Sequence, residues 1–138
     1  MNKAPIADGA LMAGSGAGRA YADWPTIGGE WLPAAYAHLQ PLWRNFVENH
    51  AAIQFNHRTL GYGAAALTAL IALGALWRGQ GPARSMALVT CVAAVAQVGL
   101  GVSTVMHGAP LALSLAHQGG AIVLWLIAHA MMRANAMR

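Results

Sequence analysis

Most of the coordinating capacity of this 138-residue chain lies in six histidines: His38, His50, His57, His107, His117 and His129. His57 and His117 stand inside long uncharged runs, where a polar ring is expensive unless it faces other protein and has a partner. His38, His50 and His107 fall in connecting segments and His129 near the end of the last apolar run, so each reads as solvated or interfacial. Two imidazoles brought together are a metal-ligating pair. A zinc or copper ion would want a third or fourth ligand at the same level. Met106 and His107 are the only approachable candidates, and both lie at a rim. Cys91 is the single cysteine and sits in an apolar run, so it offers no disulfide framework, no C-x-x-C and no zinc spacing, and reads as a buried thiol.

The elements that must position these rings follow from composition. Hydrophobic residues make up 57% of the chain and charged residues only 9%, against about 25% charged in soluble domains. Too few polar groups exist to cover a water-facing surface, which excludes an ordinary soluble domain and a disordered chain. Between Thr59 and Met132 only Arg78 and Arg84 are charged. Nineteen uncharged residues separate Arg58 from Arg78, and 48 separate Arg84 from Arg133, broken near their middle by His107, Gly108 and Pro110. A hydrocarbon core of about 30 Å takes about 20 helical residues, so the pattern predicts an all-α transmembrane fold with spans over 51–77, 85–106 and 111–132. The turns at 78–84, with Gly79, Gly81 and Pro82, and at 107–110 are short enough to make neighbouring spans antiparallel. Arg78, Arg84, Arg133 and Arg138 then share one side, the cytoplasmic one by the positive-inside tendency, which leaves residues 18–50 facing outward to a periplasm.

In that frame His57 lies six residues into the first span and His117 six residues into the third, so both sit about 9 Å below the outer surface. Parallel helices separated by one antiparallel neighbour can stand diagonally in a four-helix bundle with the two rings opposed. Two opposed imidazoles at one depth are what a six-coordinate haem iron requires. Room for the macrocycle would come from Gly61, one turn below His57, with Ala64 and Ala65, and from Gly120 and Ala121, while the middle span offers Gln97, Gly99, Gly101 and Ser103; the same small residues also suit plain helix packing in lipid. Arg58 has two roles open to it, snorkelling to the headgroups or pairing with a haem propionate. Gln54, one turn above His57, and Gln118 are further polar groups at this level, suited to orienting ligands, solvating propionates or simply making a polar rim.

Residues 18–50 hold Tyr21, Trp24, Trp31, Tyr36, Trp43 and Phe46, most of the aromatic side chains. Leu39, Leu42, Trp43, Phe46 and Val47 form a loose stripe suited to a helix in the headgroup layer. Residues 6–17 are apolar but too short to span, and read as the end of a further helix, so the chain divides into a helix remnant (1–17), an outer aromatic segment (18–50) and a three-span region (51–138). Pro5, Asp8 and the glycines from Gly9 to Gly18 argue against a cleaved signal peptide. The formal charge of +4 comes from scattered basic residues, without the basic stripe that nucleic-acid binding needs. The partner expected from composition is the lipid bilayer.

Four segments in order, GALMAGSGAGRAYADWP, PLWRNFVENHAAIQFNHRTLGY, QVGLGVSTV and LALSLAHQGGAIVLW, resemble the C-terminal half of haem A synthases. That resemblance implies eight membrane helices in two similar halves, and oxidation of the C8 methyl of haem O to the formyl group of haem A with oxygen from water, a step in cytochrome oxidase assembly. The first half carries an E-x-x-H-R motif and the substrate haem; the second carries Q-x-x-H-R and a haem b. Gln54, His57 and Arg58 match the second motif, which implies His57 and His117 as axial ligands of haem b. Asn56 stands where members usually have Asp, and Ser15 or Gly16 falls where they have another. The chain reads as a fragment without the substrate half, a half that another polypeptide or a second copy would have to complete, so enzymatic activity of these residues alone is not expected. The alternative reading is a non-catalytic membrane cytochrome b or haem-handling module.

Overall fold

The computed structural model describes residues 4–78 and 80–136. Lys3, Gly79 and Arg138, which entered the reading of charges and turns above, lie outside them. Four α-helices follow one another: α1 (Ala4–Ser15), α2 (His50–Arg78), α3 (Pro82–Met106) and α4 (Leu111–Ala136). Three of them are long and apolar enough to cross a membrane: His50–Arg78, Arg84–Met106 and Leu111–Ala130. The helix ends fall within a few residues of the expected spans because the scarce arginines mark where chain can leave hydrocarbon. α1 is the further helix read from residues 6–17.

Local chemistry stops and starts the helices. Gly81, at φ 55°, and Pro82, the first helical residue, open α3; proline has no N–H to leave unpaired there. At the other end of α3 the Gly108 N–H donates to the Val105 carbonyl at 2.9 Å and the Ala109 N–H to that of Thr104 at 2.8 Å. With Gly108 at φ 70°, this is a Schellman closure, which satisfies carbonyls that a helix end would leave bare. Ala109 continues left-handed at φ 54°, and Pro110 then turns the chain into α4.

α2 packs on α1 and α3, and α4 packs on α3 and α1, so α2 and α4 stand diagonally, as expected for the His57 and His117 helices. Near the α2–α3 turn, Ala72 and Ala87 meet with no solvent exposure. Small side chains let these backbones approach closely. At the opposite end, Met12, Ala17 and Ile53 form a second apolar cluster. The outward faces carry exposed Leu67, Leu70, Leu88, Val92, Val95, Leu115 and Leu126, the surface a lipid-facing bundle requires.

With 29 residues, α2 is about 44 Å long at about 1.5 Å per residue, longer than a hydrocarbon core. Its first turns, Ala51 to Gln54 and then Arg58, are buried, sheathed by residues 17–49. After Pro41 the chain forms a short 3-10 helix, Leu42–Phe46, with Asn45 buried and Leu42, Trp43, Phe46 and Val47 exposed.

Candidate cofactor site

His57 on α2 and His117 on α4 meet inside the bundle with ring centres 6.3 Å apart and ring planes at 83°. With metal–nitrogen bonds of about 2 Å and nitrogens about 1 Å from the ring centre, imidazoles on opposite sides of one metal have centres about 6 Å apart. The spacing therefore fits a shared metal. Among the described residues no group of three or more His, Cys, Asp or Glu side chains is arranged to hold a metal ion; a porphyrin, which brings four nitrogens of its own, needs only two axial ligands.

Glycine lies against each ring. A methyl group at Gly9 of α1 would sit 3.9 Å from Cε1 of His57, and one at Gly101 of α3 would sit 2.7 Å from Cε1 of His117. Only glycine lets the His117 ring lie on the α3 backbone. Gln97, one turn earlier on α3, donates from Nε2 to the His117 carbonyl at 2.8 Å and contacts Nδ1 of the ring at 3.1 Å. Gly120 leaves room for that carboxamide, since a Cβ at position 120 would overlap Oε1 of Gln97. Gly61 touches neither histidine: it is exposed, and a Cβ there would meet nothing within 4 Å. The face one turn below His57 is accordingly open.

Gln54 and Arg58 serve the segment above the histidines. Gln54 is fully buried; its Nε2 donates to the carbonyls of Ala17 at 2.8 Å and Tyr21 at 2.9 Å, and its Oε1 accepts from Nη2 of Arg58 at 2.6 Å. Nη1 of Arg58 donates to the Thr26 carbonyl at 2.7 Å, while Nε is buried without a hydrogen-bond partner. A guanidinium in this setting fixes the outer segment and keeps one donor for an anion. Gln118 is exposed.

Several residues that hold the site together were not singled out by sequence reasoning. Asn49 caps α2, its Oδ1 accepting from the N–H groups of Ala51 at 3.0 Å and Ala52 at 3.4 Å. Its Nδ2 reaches the Ala35 carbonyl at 2.5 Å and Asn45 Oδ1 at 2.9 Å. An Asn just ahead of an apolar helical run is a recognisable cap signal. Asp23 gathers the N–H groups of Gly28 at 3.0 Å and Gly29 at 3.1 Å and the Thr26 hydroxyl at 3.0 Å. Desolvation works to raise the Asp23 carboxyl, but these donors outweigh it and pull the pKa down to about 2. Tyr36 donates to Oδ1 of Asn56 at 2.9 Å, and Trp24 to the Tyr62 hydroxyl at 2.8 Å, so the aromatic segment is tied to α2 on both sides of His57.

His38 and His107 stay in the connecting segments and contact backbone carbonyls, and His50 opens α2 and is exposed. His129 stacks on Trp125 with ring centres 4.8 Å apart, away from the pair.

A family model described as Cytochrome oxidase assembly protein matches residues 3–129. The chain is similar to the Heme A synthase of Paracoccus denitrificans (strain Pd 1222), 44% identical over 119 residues that cover 86% of this chain and 31% of that protein. It is 42% identical over 135 residues to the Heme A synthase of Dinoroseobacter shibae (strain DSM 16493 / NCIMB 14021 / DFL 12), covering 92% of this chain and 33% of that protein. To the Heme A synthase of Rhodospirillum centenum (strain ATCC 51521 / SW) it is 44% identical over 121 residues, 84% of this chain and 31% of that protein. The chain thus spans about a third of the length of the curated relatives it matches. No solved structure matches it.

Proposed function

Because the chain belongs to the cytochrome oxidase assembly protein family, we propose that it acts in haem A biosynthesis as the haem b-binding C-terminal half of a haem A synthase. The observation that carries this reading is the His57–His117 pair, two imidazoles from diagonal membrane helices at 6.3 Å, with open space below Gly61 and a glycine against each ring. His57 and His117 would hold the haem iron. Arg58 offers its buried Nε to a haem propionate, and Gln54 holds that guanidinium in place. A haem b held here supplies one-electron transfer between ferric and ferrous iron.

The chain's own residues bind and orient the group, and keep water from it with the apolar faces of α1 to α4. Oxidation of the C8 methyl of haem O to the formyl of haem A belongs to the complete enzyme, with haem O as substrate and haem A as product. It calls for a second half, supplied by another polypeptide or a second copy of this chain. The protein lies in the cell inner membrane, with residues 18–50 on the periplasmic side and the C-terminus in the cytoplasm, an orientation supported by Arg78, Arg84 and Arg133 at one end of the bundle.

The test is a reduced-minus-oxidised spectrum of the chain purified in detergent, as wild type, His57→Ala and His117→Ala. Wild type should give b-type bands that both variants lose. A wild type without haem, or variants that keep it unchanged, would reject the ligand assignment. The second reading, a non-catalytic cytochrome b module, draws on the fact that both proposed ligands lie within this one chain. Formation of haem A on co-expression with an E-x-x-H-R half counts against it, and stable haem-bearing dimers without such a half count for it.

A further inference from the structure

The haem reading assigns no role to Gln97, yet this residue reaches a ring nitrogen of His117. It is a lone amide on the apolar α3, and its carboxamide bridges to α4, reaching the His117 carbonyl at 2.8 Å and Nδ1 at 3.1 Å. Two glycines keep the arrangement in register. Gly101 seats the ring, with Cε1 where a Cβ would approach to 2.7 Å, and Gly120 admits the carboxamide. The Gln97 contact falls on Nδ1, so Nε2 is the ring nitrogen for a metal.

We propose that Gln97 is the positioning residue of His117, holding the ring through Nδ1 and setting how strongly Nε2 donates to iron. The proposal rests on the haem reading above. A neutral imidazole that ligates through Nε2 carries its proton on Nδ1, which must then donate. The two ends of a carboxamide are nearly the same size, so a half-turn about its last torsion presents Oε1 to Nδ1; this exchanges the bond that Nε2 makes to the His117 carbonyl for one from Nδ1–H, and the carboxamide then has to draw back from that carbonyl. Such an acceptor fixes the tautomer and ring plane and raises the basicity of the ligand, and removing one costs about 10–100-fold in affinity at other metal sites. For a haem iron the same bond tunes the reduction potential.

The experiment compares wild type, Gln97→Glu, Gln97→Leu and the control Thr90→Val, each purified full-length in detergent and loaded with protohaem. Thr90 is a buried residue of the same helix whose hydroxyl donates to the Met86 carbonyl of its own helix at 2.8 Å. Readouts are the midpoint potential of the bound haem, the low-spin electron paramagnetic resonance signature and the haem dissociation constant. Gln97→Glu, which keeps the shape and strengthens the acceptor, should lower the potential. Gln97→Leu should raise it and weaken haem binding by about 10–100-fold, while Thr90→Val changes neither. Where Gln97→Leu does not fold, the shift in Gln97→Glu decides. Wild-type potential and signature in a haem-loaded Gln97→Glu, or shifts of the same sign in both Gln97 variants, would overturn the role of Gln97 and leave the haem site standing. A wild type that takes up no protohaem would overturn both.

Discussion

Gly101 on α3 and His117 on α4 are in such close contact that a methyl group at position 101 would lie 2.7 Å from Cε1 of the ring and 3.2 Å from Nε2. The plane of one proposed ligand is thus set by the absence of a side chain on the neighbouring helix. Gln97 holds the same ring from one turn away.

Gly101→Ala should therefore push the His117 ring off its seat. Overpacking of this kind costs about 1–3 kcal/mol. Gly99→Ala, on the same helix with nothing within 4 Å of the added atom, should be neutral or stabilising by up to about 1 kcal/mol. Unfolding in mixed detergent micelles, followed by helicity, measures both; equal effects would refute the contact.

Gln54→Leu keeps the bulk of the side chain, strands the Tyr21 carbonyl and one donor of Arg58, and leaves the Ala17 carbonyl with the Ala20 N–H alone. Each buried group left unpaired costs about 1–3 kcal/mol. Amide exchange over residues 17–26 should accelerate by an order of magnitude or more, about 1.4 kcal/mol per tenfold, while α3 exchanges as before.

Asn49→Ala removes the α2 cap and the links to Ala35 and Asn45 in one change. A lost cap costs about 0.5–2 kcal/mol. Asn49→Asp keeps the accepting oxygen for Ala51 and Ala52 and should fall between wild type and Ala, read out as exchange of those two amides.

Ala109→Gly relieves the one left-handed non-glycine among the described residues. Left-handed backbone costs an L-residue about 1–2 kcal/mol, so the variant should unfold later by roughly that amount, less the extra freedom glycine gives the unfolded chain.

The Asp23 carboxyl, drawn down to about 2 against an ordinary 3.8, ties stability of the 23–29 turn to pH. A depressed folded-state pKa means its contribution is present above pH 4 and is lost as the pH falls through about 2. The Gly28 and Gly29 amide resonances should titrate with a midpoint near 2, and should lose that transition in Asp23→Asn. A midpoint near 3.8 would show that the turn does not engage the carboxylate.

The placement of α2, α3 and α4 was legible because so few charges interrupt the apolar runs: Arg58, Arg78, Arg84 and Arg133 leave little freedom for where helices enter and leave hydrocarbon. Equal depth of His57 and His117 was legible for the same reason. The anchoring of residues 17–26 on α2 was not. Its bonds run from Gln54 to Ala17, 37 residues away, and from Arg58 to Thr26, 32 residues away, and they end on backbone carbonyls, which every residue possesses and no motif marks. The Q-x-x-H-R pattern was readable, but not that its first and last members brace the outer segment above the histidine between them.

What the sequence by itself determined is the set of membrane helices, their alternation and the level of two imidazoles along them, because the cost of charge in hydrocarbon acts locally, residue by residue. Only the tertiary structure decided that α2 and α4 stand diagonally with the rings 6.3 Å apart, that Gly101 rather than Gly61 lies against a ring, and that Gln97 grips His117. Those outcomes depend on the rotation of each helix about its axis. In lipid, polarity constrains that rotation only weakly, and close packing of small residues with a few interhelical hydrogen bonds sets it.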